Sequence, residues 1–340
     1  MEHARITSLQ VAARAGVSQS AVSRVFTPGA SASAKTVAKV RKAAEELGYR
    51  PNRVARTMIT GKSRIIGLVV AYLDNQFYPQ ALEHLSNALQ EKGYHVLVFT
   101  ATNSPEKVEE VMRDLLDFQV DGIITASVAV TSDLTVRCNA AGIPVVMFNR
   151  GQDGADVNAV TSDNVNGGRK VADFLVQCGH KHIAHISGWE GSSTGRDRRQ
   201  GFVEGLAAHG YKPLRIIDGM YNRDTAAQAA RNLMKAPTPP DAIFVGNDHM
   251  AFAVMDTLRH ELGLKIPQDV AIVGFDDVPL AAWPSYDLTT VRQPLNRMVE
   301  ATVDMMIAQI DEGVIAPRRV AFDGPLIRRS STRQPKGQET

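Results

Sequence analysis

"AARAGVSQSAVSRVF", residues 12–26, decides how the start of the chain folds. Gly16 can take a positive φ at little cost, so it closes one helix and opens a sharp corner. Val17 anchors the turn, and Ser18 is a natural N-cap for a second helix. In that helix Ala21, Val22, Val25 and Phe26 fall at i, i+1, i+4 and i+5 and make one apolar face. Gln19, Ser20, Ser23 and Arg24 lie on the other. Two short helices across a glycine corner form a helix-turn-helix, which offers the start of its second helix to the DNA major groove. The exposed residue types suit base reading, since Gln pairs with adenine, Arg with guanine, and Ser with donors or acceptors of either strand.

Outward from this stretch the local signals agree. Thr7 to Gln10 reads T-x-x-Q, a capping box that starts the first helix, with Leu9, Ala12 and Ala13 as its apolar side. A third helix fits Ala34 to Leu47, with Ser33 as cap and Gly48 as stop; Val37, Val40, Ala44 and Leu47 close a small core. A short helical register follows over Asn52–Ile59, ended by Gly61. Helices of that length are marginal alone in water, so it should order only when DNA and a second copy bury its apolar side. Gly61-Lys62-Ser63 has the ending of a P-loop, but Arg56 stands where the pattern needs glycine.

Charge divides the chain. Residues 1–64 hold 12 Lys+Arg and 3 Asp+Glu, a net +9, while the remainder carries −7 of an overall +2. A basic head on an acidic body implies a polyanion for the head alone. Nucleic acid fits better than a membrane surface, because the head has no large apolar face with Trp or Phe to insert. No apolar run approaches the ~18 residues of a membrane span, and the opening MEHARITS has no secretory apolar segment. Cys138 and Cys178 are far apart and read as reduced thiols, which places the protein in the cytoplasm.

From Ile65 onward short apolar runs alternate with amphipathic helical patterns. The strand candidates are IIGLVVA, HVLVFT, VDGIIT, IPVVMF, HIAHIS, DAIFVG and VAIVGF. Nearly continuous apolar runs fit parallel strands buried on both faces. "YPQALEHLSNALQEKG" and "NVNGGRKVADFLVQCG" read as helices, and Gly93, Gly142, Gly179, Gly210 and Gly263 as helix ends before the next strand. This is a doubly wound α/β pattern with more elements than one sheet holds. It splits into two lobes near Thr161–Asp163, with "DLTTVRQP" at 287–294 as a return crossing.

The chain resembles the lactose repressor family, the LacI-type bacterial transcription regulators. The head resemblance rests on "VAARAGVSQSAVSRVF" (11–26), "ELGYRPNRVAR" (46–56) and "SRIIGLVV" (63–70). In the body it rests on "TSDNVNGGRKVADFLVQCGHKHIAHISG" (161–188), "IFVGNDHMAFAVMDTL" (243–258) and "VAIVGFDD" (270–277), similar to a periplasmic-binding-protein-like effector domain. For the head the resemblance implies DNA contacts from Ser18, Gln19, Ser20, Ser23 and Arg24. It also implies hinge contacts from Asn52, Arg53 and Ala55, and a minor-groove wedge at Met58, where leucine is usual. For the body it implies a ligand set of Asp74, Asn75, Phe77, Tyr78, Asn149, Arg198, Tyr221, Asn247 and Asp276. An arginine fork, an amide and a carboxylate suit vicinal hydroxyls, and Phe77 or Tyr78 would cover one ligand face. Asn149 replaces a frequent Asp. Arg150, Arg196 and Arg199 add positive charge near the mouth, which raises an anionic metabolite as a candidate.

Other motifs give way on inspection. Gly191–Gly195 spells G-x-S-x-G, but a loop separates Ser193 from the preceding strand, unlike a hydrolase elbow. Cys178, His180, His182 and His185 do not converge as metal ligands do. Gly167-Gly168 lacks dinucleotide spacing.

The expected architecture is therefore α/β. A helix-turn-helix head covers 1–50, and a hinge helix and linker 51–64. An effector domain covers 65–332, with lobe one at about 65–162 and 291–322 and lobe two at about 163–290 and 323–332. A disordered tail covers 333–340. The expected function is that of a non-enzymatic transcription regulator, a repressor first and an activator as the alternative, with no cofactor. Its partners would be a pseudo-palindromic operator, a second copy of the chain and a small effector, a sugar or sugar acid. An exported sugar receptor would account for the body but leave the head without a use.

Overall fold

The computed structural model of the protein describes residues 6–27, 30–50, 61–101, 105–128, 132–152, 157–313 and 316–335. It forms two compact units that divide after Ser63.

The first unit holds α1 (Ser8–Ala15), α2 (Gln19–Phe26) and α3 (Ala34–Leu47). The capping box is complete: Thr7 accepts from the Gln10 amide, and the Gln10 side chain accepts the Thr7 amide at 2.8 Å. Gly16 ends α1 at φ 65°, and Ser18 and Ser33 cap the next two helices through their side chains. Val11, Ala12, Val22, Val40, Ala43 and Ala44 form the buried core. One expectation needs correcting. Leu9 is 63% exposed and Ala13 is also exposed, so Val11 and Ala12 are the inner side of α1. Leu9 stands two positions before Val11, and at about 100° per residue the helix carries it to the opposite face. The expected hinge helix over Asn52–Ile59 lies outside the described residues.

The second unit is built on two six-stranded sheets. The first contains β1 (Ile65–Val70), β2 (His95–Thr100), β3 (Gly122–Ala126), β4 (Val145–Phe148), β5 (Asn158–Ser162) and β11 (Arg319–Phe322). Its order is β11-β5-β4-β3-β1-β2, with every pair parallel. The second contains β6 (Ile183–Ser187), β7 (Ile216–Asp218), β8 (Ala242–Val245), β9 (Ala271–Asp276), β10 (Thr289–Arg292) and β12 (Leu326–Ile327). Its order is β12-β10-β9-β8-β6-β7, parallel except for the antiparallel β10–β12 pair. The helices are α4 (Phe77–Glu91), α5 (Pro105–Asp117), α6 (Ser132–Ala140), α7 (Asn164–Gln177), α8 (Ser193–Ala208), α9 (Arg223–Met234), α10 (Asp248–Asp256) and α11 (Leu295–Glu312). Central strands β3, β6, β8 and β9 are buried at every position, as continuous apolar runs between helix layers require.

Helices α7 and α8 touch backbone to backbone. A Cβ on Gly201 would land on the Val165 carbonyl oxygen, and one on Gly168 would land on that of Arg198. Glycine at both positions therefore sets how deeply α8 seats, and α8 carries Arg198.

Three connections join the lobes, and they are stitched to one another. Ser162 donates its hydroxyl to Gln293 Oε1 at 2.7 Å. The Asp163 amide donates to the Phe322 carbonyl at 2.9 Å, and that of Arg292 to the Pro325 carbonyl at 2.9 Å. Two boundaries move relative to expectation. Val291 and Arg292 pair with Phe275 and Asp276, so they belong to the second sheet and the crossing falls at Gln293–Pro294. The start of the expected tail is anchored: Arg333 donates to the Gln268 carbonyl at 2.9 Å and accepts from Cys178 Sγ at 3.1 Å. Residues 336–340 of that tail lie outside the described residues.

Candidate functional site

Parallel sheets gather loops at the carboxyl ends of their strands, and that is where ligands bind in such folds. Here the strand ends of both lobes converge on one cavity with about 330 Å³ of empty volume, part of it open to solvent. Lobe one contributes Tyr72, Asp74, Asn75 and Tyr78 after β1, Ser127 after β3, and Asn149 and Arg150 after β4. Lobe two contributes Thr194 and Arg198 on α8, Tyr221 after β7, Asn247 after β8 and Asp276 at the end of β9.

Arg198 is the best-held of these. Its Nε donates to Asn164 Oδ1 at 2.8 Å and its Nη1 to the Gly246 carbonyl at 2.7 Å. Nη2 lies 3.5 Å from Asp276 Oδ1, and the guanidinium sits 3.7 Å from the centroid of the Phe275 ring. Asp276 also accepts from Gln293 Nε2 at 2.7 Å. Burial pushes the Asp276 carboxyl up to about 6, against the opposing pull of Arg198, Gln293 and Asn75. Behind it, Asp248 accepts from Thr290 Oγ1 at 2.6 Å and from the Val278 amide at 3.0 Å, and burial raises its carboxyl to about 7. Asn247 caps α10 by accepting the Met250 amide at 3.0 Å, which leaves its Nδ2 as a donor.

Across the cavity Asn149 donates from Nδ2 to the Tyr78 hydroxyl at 2.9 Å, and burial raises the Tyr78 phenol. Tyr221 donates to Thr194 Oγ1 at 2.9 Å. Polar contacts that already span the lobes include that of Asn75 with Asp276, His249 Nε2 at 3.4 Å from Asp74 Oδ2, and the Gly151 amide donating to Ser193 Oγ at 3.1 Å. Strained backbone collects here as well. Ser127, Asn149, Tyr221 and Asp276 all have positive φ, at 67°, 69°, 53° and 132°. Non-glycine residues held in that region cost on the order of 1–3 kcal/mol each and cluster where a ligand must be met.

Of the nine residues in the expected ligand set, eight line this cavity. Phe77 does not. It is buried in lobe one, stacked on Phe148 at 6.3 Å and edge-on to Tyr78 at 5.3 Å. At the start of α4 only one of two adjacent aromatics can face the cleft, and that one is Tyr78. Sequence reasoning missed Tyr72, Ser127 and Thr194, ordinary loop residues whose only signal is their place after a strand or at a helix start. Of the three arginines expected near the mouth, Arg150 is buried and Arg199 is paired with Glu190. His185, from the Cys–His stretch, is buried against Phe244 and Phe202. Ser193 opens α8 rather than a strand-to-helix elbow.

In the head, Ser18, Gln19, Ser20, Ser23 and Arg24 are all exposed along one side of α2. Gln19 Nε2 donates to Ser8 Oγ at 3.0 Å, and Ser18 and Ser20 share a hydroxyl bond of 2.9 Å. Asn52, Arg53, Ala55 and Met58 lie outside the described residues.

Comparison with known proteins agrees with both units. The family described as "Bacterial regulatory proteins, lacI family" matches residues 9–52, and a periplasmic binding protein-like domain matches 172–332. The HTH-type transcriptional regulator CelR of Thermobifida fusca is 32% identical over 97% of this chain and 100% of its own. AscG of Escherichia coli is 31% identical over 96% and 98%. Among solved structures, the lac repressor dimer bound to operator and the anti-inducer ONPF aligns with TM-score 0.87 at 27% identity, covering 97% of this chain and 99% of that one. The CelR–cellobiose complex aligns with TM-score 0.72 at 31% identity, covering 96% and 100%. This chain belongs to the lacI family of bacterial regulatory proteins and is a DNA-binding transcription regulator.

Proposed function

We propose that the protein is a cytoplasmic repressor that binds a pseudo-palindromic operator as a homodimer and is controlled by a polyhydroxylated metabolite held between its lobes. The observation that carries this reading is the buried Arg198–Asp276 pair beside Asn247, at strand ends where both lobes meet. A fork of N–H donors, an acidic acceptor and an amide can grip neighbouring hydroxyls with alternating donor and acceptor roles. Relatives support the ligand class and the assembly: CelR was solved with cellobiose, and the lac repressor as a dimer on its operator.

On this reading Gln19, Ser20, Ser23 and Arg24 meet base edges or nearby phosphates, while Ser18 both caps α2 and touches the backbone. Asn52, Arg53, Ala55 and Met58 form the hinge contact. Two-fold protein symmetry maps onto symmetric half-sites. The effector acts by favouring one angle between the lobes; an effector with equal affinity for both angles would change nothing.

The test is fluorescence anisotropy with the full chain on duplexes enriched from a random pool, at several salt concentrations. One palindromic site should be preferred, its affinity should fall steeply as salt rises, and a sugar should shift it. Equal binding to every duplex overturns the reading.

A further inference from the structure

Among the residues lining the cavity, Arg150 stands apart. It is 5% exposed, yet among the described residues its one hydrogen bond runs from Nη1 to the Ser127 carbonyl at 2.8 Å. Its Nε has no partner, and among the described residues no carboxylate forms an ion pair with it. Its guanidinium is flanked instead by three aromatic rings: Tyr221 at 5.5 Å, Tyr72 at 5.8 Å and Trp189 at 6.0 Å. Rings attract a cation, but they do not neutralise it. Arg198 has Asp276 as its counter-charge, and Asp74 is largely exposed and faces His249. The buried lining therefore holds two guanidiniums against one carboxylate. A charge withdrawn from water without a counter-ion is unfavourable, so the fold favours an anion at this end of the cleft.

The space for it is beside the cleft. Arg150 also lines a second hollow with about 530 Å³ of empty volume, part of it open to solvent, together with Gly151, Trp189, Ser193 and Arg196. Helix α8, 16 residues long, points its N-terminus into this hollow, because Ser192 and Ser193 are its cap and first residue. First-turn amides have no helical acceptor, and the helix end carries partial positive charge. Arg150, with its unpaired buried Nε, lines the same hollow as that helix end, so two independent donor sets border one space. Close by, the buried Oδ1 of Asn149 also lacks a partner and can accept a hydroxyl.

We propose that the effector is a sugar carboxylate, its anionic end held between Arg150 and the N-terminus of α8 and its hydroxyls on Arg198, Asn247 and Asp276. This assignment rests on the cleft reading above and narrows its ligand class. A carboxylate matches one guanidinium in charge and in two-point geometry, whereas a phosphate dianion would leave excess negative charge.

Calorimetric titration of the full chain tests it, with C5 and C6 aldonates and uronates as probes, each beside the neutral sugar of the same skeleton and the corresponding sugar phosphate. At least one acid should bind tenfold or more tightly than its neutral partner, and Arg150→Gln should bring that ratio to near one. Equal affinity for acids and neutral sugars overturns the carboxylate assignment and leaves the cleft reading standing. Preference for the phosphates, or silence from all the acids while a neutral sugar binds, does the same. Silence from every probe, with no effect on operator binding, sinks both. Stability without ligand is a second check that needs no ligand identity. Arg150→Met removes an unmatched charge, so the apo melting temperature should hold or rise. A fall of more than about 5 °C would mean that Arg150 is neutralised within the fold, and the charge imbalance behind the proposal would not exist.

Discussion

Arg198 and Asp276 stand 3.5 Å apart with side chains only 3% exposed, although one rises from the second turn of α8 and the other ends β9. The pair exists only because α8 is seated against α7 and the second sheet, and its exposed edge is the floor of the cleft.

Replacing Arg198 by Ala removes the cation and leaves the carboxylate buried. Breaking a buried pair from one side costs about 3–5 kcal/mol. The cost should depend on pH. Asp276 already titrates near 6 rather than in the usual carboxylate range, and without Arg198 it moves higher. A carboxyl whose folded value is raised stabilises below its unfolded value, and that contribution is lost as pH rises through the folded value. R198A should therefore be least stable relative to wild type at pH 8 and recover toward pH 5, as chemical denaturation will read. Its operator affinity should no longer respond to effector.

Gly201→Ala tests how α8 is seated. The added methyl meets the Val165 carbonyl, a backbone atom that cannot rotate away. Overpacking of this kind costs about 1–3 kcal/mol, and α8 must shift with Arg198 on it. The expected outcome is a lower melting temperature together with weaker effector response. A full response at normal stability would mean that the helices can part without disturbing the cleft.

His185 supplies an acid sensitivity although it does not line the cleft. It is fully buried, stacked on Phe244 at 4.5 Å, and donates from Nδ1 to the Phe244 carbonyl at 2.9 Å. Burial lowers its titration to about 4 from an ordinary 6.5. The unfolded chain thus takes up a proton before the folded one does, and stability falls as pH drops from about 6.5 to 4. Up to about 3 kcal/mol is at stake, at 1.36 kcal/mol per unit. Asp248 and Asp276 work in the opposite sense over the same range, so the comparison is with His185→Phe. The variant should lose less stability than wild type between pH 7 and pH 4, and parallel curves would remove the assignment.

Arg24→Ala addresses the reading helix. Arg24 is exposed on α2, and its Nε reaches the Ser20 carbonyl at 3.4 Å. Loss of a base contact should weaken the preferred duplex by about 1–3 kcal/mol and relax the choice at one base pair. Equal weakening of all duplexes would place Arg24 on a phosphate instead.

Much of the molecule was legible because its signals are local. Thr7, Gly16, Ser18 and Ser33 act on backbone within three or four residues, so their caps could be read without any tertiary knowledge. Seven strands announced themselves as apolar runs. β5, with Asn158, Thr161 and Ser162 in five residues, did not, because its polar side chains are satisfied by partners such as Arg318 and Gln293 that stand more than 130 positions away. The sequence by itself determined the helix-turn-helix and the alternating α/β body, and its resemblance to a known family pointed to most of the residues that line the cleft. Only the tertiary structure decided that Tyr78 rather than Phe77 faces the cleft, that the second crossing falls at Gln293, and that Arg150 is withdrawn from water without a counter-charge. Burial is a property of which distant segments meet, and no window of neighbouring residues contains it.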